Sequence, residues 1–186
     1  MRIILAISLF FATLSAEVQQ VTLIWQPGLC AAPCVKELTK QLYKIPGVAQ
    51  VNINESIGRA FIVWKPDAFF AFQPLNAAAR YVGIRVDQIH LKVKGRIGME
   101  SGQVRLISSG DNTAFTLLNP LVPTARQYTV QWNPSTRKLS PELQAELLET
   151  QKNNWTVTIE GTFYEPYRSP PNLLIVEQLS VDKSQK

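Results

Sequence analysis

The 186-residue chain holds only two cysteines, two methionines and one histidine. That scarcity excludes much. A single imidazole cannot build the multi-histidine centres of zinc hydrolases, and a closed structural zinc site takes four Cys or His ligands. No H-E-x-x-H, G-x-S-x-G, Walker or G-x-G-x-x-G motif occurs. Acidic residues such as Glu37, Glu55, Asp67 and Asp87 are scattered along the chain. The chain is therefore expected not to be an enzyme, and thiol–disulfide exchange is the one catalytic chemistry its residues could run. No internal repeat, low-complexity tract or Gly/Ser linker interrupts it. The longest apolar run, residues 3–12, falls short of the ~20 residues that a membrane-crossing helix needs.

What is present starts with that run. Met1 and Arg2 precede it, and Ala16 is a small residue before Glu17. A positive start, a short apolar stretch and a small residue at the end make a secretory signal peptide. Residues 1–16 are expected to leave, without a lipid anchor, and the mature chain to act in the periplasm or envelope. Such compartments favour disulfides. A formal net charge of +5 is ordinary for solubility, and export makes nucleic acid an unexpected partner.

The two cysteines, Cys30 and Cys34, lie in Pro27-Gly28-Leu29-Cys30-Ala31-Ala32-Pro33-Cys34, just before a helical pattern. A helix N-terminus carries partial positive charge and unpaired N–H groups, which favour thiolates. Two thiols so placed can chelate a soft metal or close a small disulfide. Residues 21–25 read as a strand. Val35, Leu38, Leu42 and Ile45 recur at helical spacing, with Lys36, Glu37, Lys40 and Gln41 opposite. Pro46-Gly47 ends that helix. Residues 48–53 and 59–64 read as a hairpin around Glu55-Ser56-Ile57-Gly58. A second helical stretch over 74–82 carries Leu75, Ala78, Ala79 and Val82. A long strand then starts at Ile84.

The order is βαββαβ, a split βαβ. With Gly28-Leu29 and the cysteine pair, Ile45-Pro46-Gly47-Val48 with Val51, Gly58-Arg59-Ala60, and Ala78-Ala79 leading to Gly83-Ile84, residues 20–94 resemble a heavy-metal-associated domain. That module occurs in copper chaperones, copper ATPase N-terminal repeats and mercury-binding periplasmic proteins. The resemblance implies a ferredoxin-like fold, Cys30 and Cys34 as metal ligands, Cu(I) or another soft ion as cargo, and a metal-donor or acceptor protein as partner. The chain departs from the family pattern Gly-Met-x-Cys-x-x-Cys. Leu29 replaces the Met, Ala31 takes the first-ligand position, and Cys30 lies one residue early. Positions four apart share a helix face, so the sulfurs can still converge. Two thiolates suit soft cations. His90, on a strand, is expected to be a surface or hydrogen-bonded residue, and Met99 lies beyond the domain.

Residues 95–183 read as a second domain. Strands are expected at 104–107, 114–118, 128–132, 155–163 and 173–176, with a turn at 98–102. Ser140-Pro141-Glu142 opens a helix with an N-cap, a proline at N1 and an acid in the first turn. Leu143, Leu147 and Leu148 form its stripe. Three strands, a helix and two strands is the order of an OB-fold barrel. Trp132, Trp155, Phe163, Tyr164 and Tyr167 lie near Arg137, Lys138 and Arg168, a mixture that in other settings stacks single-stranded nucleic acid. A protein or glycan partner is the expectation here.

The expected fold is α+β, with a ferredoxin-like sandwich over 17–94 and an OB-like barrel with one helix over 95–183. The expected function is that of an exported soft-metal-binding protein, a Cu(I)-type carrier or sensor using Cys30 and Cys34. The alternative is a metal-free periplasmic interaction or structural protein, in which Cys30–Cys34 is a disulfide and the barrel binds a protein or glycan.

Overall fold

A computed structural model describes residues 18–66, 68–108, 110–120 and 137–183. The strand expected at 128–132, Trp132 and the expected signal peptide over 1–16 lie outside these residues. The described fold is α+β. Its order is β1 (Val18–Ile24), α1 (Ala32–Tyr43), β2 (Val48–Asn54), β3 (Arg59–Trp64), α2 (Phe72–Tyr81) and β4 (Gln88–Glu100). There follow β5 (Gln103–Ile107), β6 (Ala114–Leu118), α3 (Pro141–Lys152), β7 (Thr156–Tyr164), β8 (Asn172–Ile175) and β9 (Gln178–Asp182).

Two sheets share β4 and β7. The first runs β2-β3-β1-β4-β7-β9 with every neighbour antiparallel. In the second, β4, β5, β6, β8 and β7 close into a five-stranded barrel, with β6 and β8 parallel. The helix α3 lies between β6 and β7 in the chain. Its start follows from its residues, because the Ser140 hydroxyl accepts the Leu143 N–H at 3.2 Å and Pro141 sits where no intrahelical donor is needed.

Alternation decides which face of the shared strand is inside. Ile89, Leu91, Val93 and Ile97 on β4 are buried, and His90, Lys92 and Lys94 lie on the opposite face. There Lys92 pairs with Glu160 at 2.6 Å and Lys94 with Asp182 at 3.9 Å. The strand starts at Gln88 rather than Ile84 and continues to Glu100, through residues expected in the 98–102 turn. Gly95 and Gly98 stay inside it because β5 packs against them. A Cβ at Gly95 would lie 2.7 Å from the Ile107 carbonyl oxygen, and one at Gly98 2.7 Å from the Ile107 Cδ1. The turn contracts to Ser101-Gly102. The boundary expected at 94/95 falls within β4.

One apolar core runs through both sheets. It holds Leu38 and Leu42 of α1, Leu75, Ala78 and Ala79 of α2, Leu147 of α3, and the inward residues of the strands. Phe70, in the connection between β3 and α2, joins its parts. Its ring meets Trp64, Phe115 and Phe163 at centroid distances of 5.6, 6.0 and 5.7 Å. The Phe70 N–H donates to Asp111 Oδ2 at 3.1 Å. Asp111 also accepts from the Thr113 N–H at 3.1 Å and from the Thr113 hydroxyl. Burial pushes the Asp111 carboxyl up, but these bonds and one from Ser108 outweigh it and hold its pKa below the ordinary 3.8.

Two outcomes follow. Gly161 faces the Ile175 carbonyl oxygen so closely that a Cβ would overlap it. Gly161→Ala should therefore destabilise the protein by about 1–3 kcal/mol, read as a lower urea midpoint, and an unchanged midpoint contradicts this packing. Because its folded pKa is depressed, Asp111 contributes stability above its unfolded pKa and loses it as pH falls through the folded value. Asp111→Asn should cost on the order of 1–2 kcal/mol at neutral pH, and this gap between wild type and variant should close on acidification.

Candidate functional site

The cysteine loop starts from an anchored strand end. Past Ile24, Trp25 is buried and its backbone N–H donates to the Gly58 carbonyl at 2.9 Å. Gly58 has φ +62, and a Cβ there would collide with the Trp25 carbonyl oxygen, so only glycine fits this approach. Gly28, at φ +83, turns the chain toward α1. Leu29 is exposed at the loop tip, while Cys30 is only 3 % exposed. Cys34 lies in the first turn of α1, half-buried against the core. Ala31, the N-cap, offers no side-chain acceptor, and Pro33 brings no N–H.

Cys30 and Cys34 are joined as a disulfide with Cα atoms 5.2 Å apart. The structure thus brings the two sequence-chosen ligands together, in oxidised form. A disulfide sulfur is a poor ligand, since metal binding needs the thiolate. Soft-metal chemistry at this loop therefore starts with a two-electron reduction. Burial of Cys30 leaves the Cys34 sulfur as the more accessible point of attack. Once reduced, the thiolates would lie about the start of α1, where the helix N-terminus favours negative charge. The donor set then fits a two-coordinate soft cation.

His90 is not grouped with the cysteines. It sits on β4 in register with Thr22 and Thr162, its Nδ1 3.5 Å from Glu177 and its Nε2 3.4 Å from the Thr162 hydroxyl. Met99 lies near the far end of the same strand. Among the described residues no three His, Cys, Asp or Glu side chains are grouped to hold a metal ion. No helix among them is long and apolar enough to cross a membrane.

The aromatic and cationic residues of the second half divide by environment. Phe163 and Tyr164 are buried, and the Arg137 guanidinium lies 4.6 Å over the Tyr164 ring. Burial lowers the Arg137 pKa, with Tyr164 opposing, and raises that of Tyr164. Lys183 lies 4.9 Å over Trp155, and Arg168 pairs with Glu165 at 3.3 Å. These groups do not form an open stacking surface. Tyr167 differs, because the residue is 57 % exposed.

Tyr167 stands between two clefts at the junction of α2 with the β7–β8 connection. One, of about 410 Å³, is lined by Asn76, Arg80, Gly83, Ile84, Arg85 and Tyr167. The other, of about 240 Å³, includes Asp87, Gln88, Glu165 and Tyr167. Sequence reading marked Tyr167 as one aromatic among several and passed over Asn76, Arg80 and Arg85. No local pattern could have joined them, because Asn76 and Tyr167 are 91 positions apart.

No protein-family model matches the chain, and no match is found among curated proteins or solved structures.

The disulfide closes a very short loop, so its removal should cost only about 2 kcal/mol on the chain-entropy estimate. Cys30→Ser/Cys34→Ser should fold with native far-UV and near-UV circular dichroism and a modestly lower melting temperature. Failure to fold would give the staple a larger structural role.

Proposed function

We propose that this chain is an exported, non-catalytic binding protein whose cysteine loop is stapled in the resting state. In this reading the N-terminal part is a ferredoxin-like module of the heavy-metal-associated kind, and the barrel is OB-like. The antiparallel order β2-β3-β1-β4, with helices after β1 and β3, supports the first assignment. A five-stranded ring with a helix between its third and fourth strands supports the second.

The observation that carries the reading is the closed Cys30–Cys34 bond with Cys30 inside the core. In an oxidising periplasm or envelope that bond persists, and the loop then serves as scaffold. Ligand or partner recognition falls to the surface beyond it. A disulfide is compatible with export, and the sequence supplies the matching signal.

A second reading has its own support. The two sulfurs already share one helix start, so reduction would produce a thiolate pair suited to Cu(I) or another soft ion. The chain would then be a carrier or sensor loaded only after a reductant, or a partner's thiol, opens the bond. Handover to a metal-donor or acceptor protein would proceed by thiolate exchange around the exposed Leu29 tip.

Thiol counting with a chromogenic disulfide, followed by competition with a Cu(I) chelator, separates the two. The protein purified without reductant should show no free thiol and take up no Cu(I), and reduction should expose two. One-to-one Cu(I) uptake by the protein as purified, lost in Cys30→Ser/Cys34→Ser, would overturn the stapled reading. Uptake only after reduction would establish the second reading beside the first.

A further inference from the structure

We propose that the twin clefts around Tyr167 bind an acidic saccharide. Its anionic group would lie on Arg80 and Arg85, and its neighbouring hydroxyls on Asn76, Asp87 and Glu165. The assignment rests on the reading of the chain as a binding protein and gives that protein a site and a ligand class.

The platform is Tyr167. It belongs to a single helical turn, Pro166–Arg168, within the β7–β8 connection. Its ring packs edge-to-face on Phe72 at 5.1 Å and 86°, and Phe72 in turn packs on Phe163 at 6.3 Å. The ring is thus held from below by the core, and the residue as a whole is 57 % exposed. A fixed, exposed tyrosine offers large contact area at little entropic cost. The apolar C–H face of a sugar ring is a natural complement.

Asn76 supplies the polar anchor. Its side chain is on α2 and only 8 % of the residue is exposed, yet it lines the larger cleft. Its Oδ1 meets the Tyr167 hydroxyl at 3.5 Å. Among the described residues its Nδ2 donates to no protein acceptor. That amide N–H opens onto the cleft and is available to donate to a ligand oxygen.

The charges then choose the ligand. Arg80 forms no ion pair among the described residues. Arg85 is 89 % exposed along its side chain and lies 3.7 Å from Asp87, a weak surface pair. Both arginines line the larger cleft, and a guanidinium offers the planar fork that binds a carboxylate in bidentate fashion. On the other side of Tyr167 the smaller cleft carries two carboxylates, Asp87 and Glu165. Carboxylates accept hydroxyl hydrogens and repel a phosphodiester chain. Each ring of a uronate carries its carboxylate at one end and free hydroxyls at the other. It can turn charge to the arginines and hydroxyls to the carboxylates, whereas a phosphodiester strand offers charge without that hydroxyl end.

The test is calorimetric titration of the full oxidised chain with tetragalacturonate, beside neutral maltotetraose and hexathymidylate. Tetragalacturonate should bind at least about tenfold more tightly than maltotetraose, and added salt should narrow that gap. Tyr167→Ala and Arg80→Glu/Arg85→Glu should each weaken it by about tenfold or more, with the urea midpoint near wild type. Both arginines are exposed, so the double variant keeps the test valid even where Tyr167→Ala disturbs folding. Equal binding of maltotetraose, tighter binding of hexathymidylate, indifference to both variants, or no saccharide binding at all would overturn the proposal. Cys30→Ser/Cys34→Ser should leave tetragalacturonate binding unchanged. Cu(I) uptake without saccharide binding would therefore sink the cleft and leave the metal question to the thiol count.

Discussion

Strand β4 has to satisfy hydrogen bonds along both edges at once, and the rest of the molecule is arranged by that demand. Its first half pairs with β1 on one edge and β7 on the other, and its second half passes from β1 to β5. An inner strand of this kind cannot tolerate a slip of one residue, because every side chain would change face. The slip would carry His90, Lys92 and Lys94 inward and Leu91 and Val93 outward. The two-sided pairing also welds the early βα elements to the barrel. Moving one against the other would break a backbone ladder buried in low dielectric, unlike bending a flexible linker.

Phe70 gives that weld its thickness. It reaches from the β3–α2 connection to Phe115 of β6 and Phe163 of β7, and Asp111 holds its backbone in place. The same connection leads into α2, whose Phe72 supports Tyr167. The clefts therefore sit on rigid elements. Groups carried by a helix and a braced turn keep their spacing better than groups on a free loop, which is what recognition of a saccharide by a few polar contacts requires.

The cysteine loop follows a different logic. The proposed metal-carrying role would need two accessible thiolates at this loop. Here Cys30 turns into the core and Cys34 closes on it, so Leu29 is what the tip displays. The three-residue spacer places one sulfur before the helix and the other in its first turn. The bond therefore ties the incoming chain to α1 where no side chain caps the helix.

Much of the fold was legible because its signals are local. Helical spacing at Leu38 and Leu42, the stop at Pro46-Gly47, the Gly58 turn and the Ser140-Pro141 start each act within a few residues. Strand β9 was not expected from the sequence, because five residues near the tail show their strand character only where they pair with β7. Gly98 misled as well, since it was placed in a turn and lies within β4. Glycines beside Met99 suggest a turn, and only the approach of Ile107 across the barrel explains why they continue a strand.

The sequence by itself determined the α+β order, the inward faces of the strands and the nearness of Cys30 to Cys34, since periodicity and short spacing are properties of neighbouring residues. Tertiary structure alone decided that the two sulfurs are bonded with one buried, that His90 faces Glu177 rather than the thiols, and that Asn76, Arg80 and Arg85 meet Tyr167. Those outcomes depend on which distant segments the closed barrel and the shared strand press together, and no local pattern of residues encodes that contact.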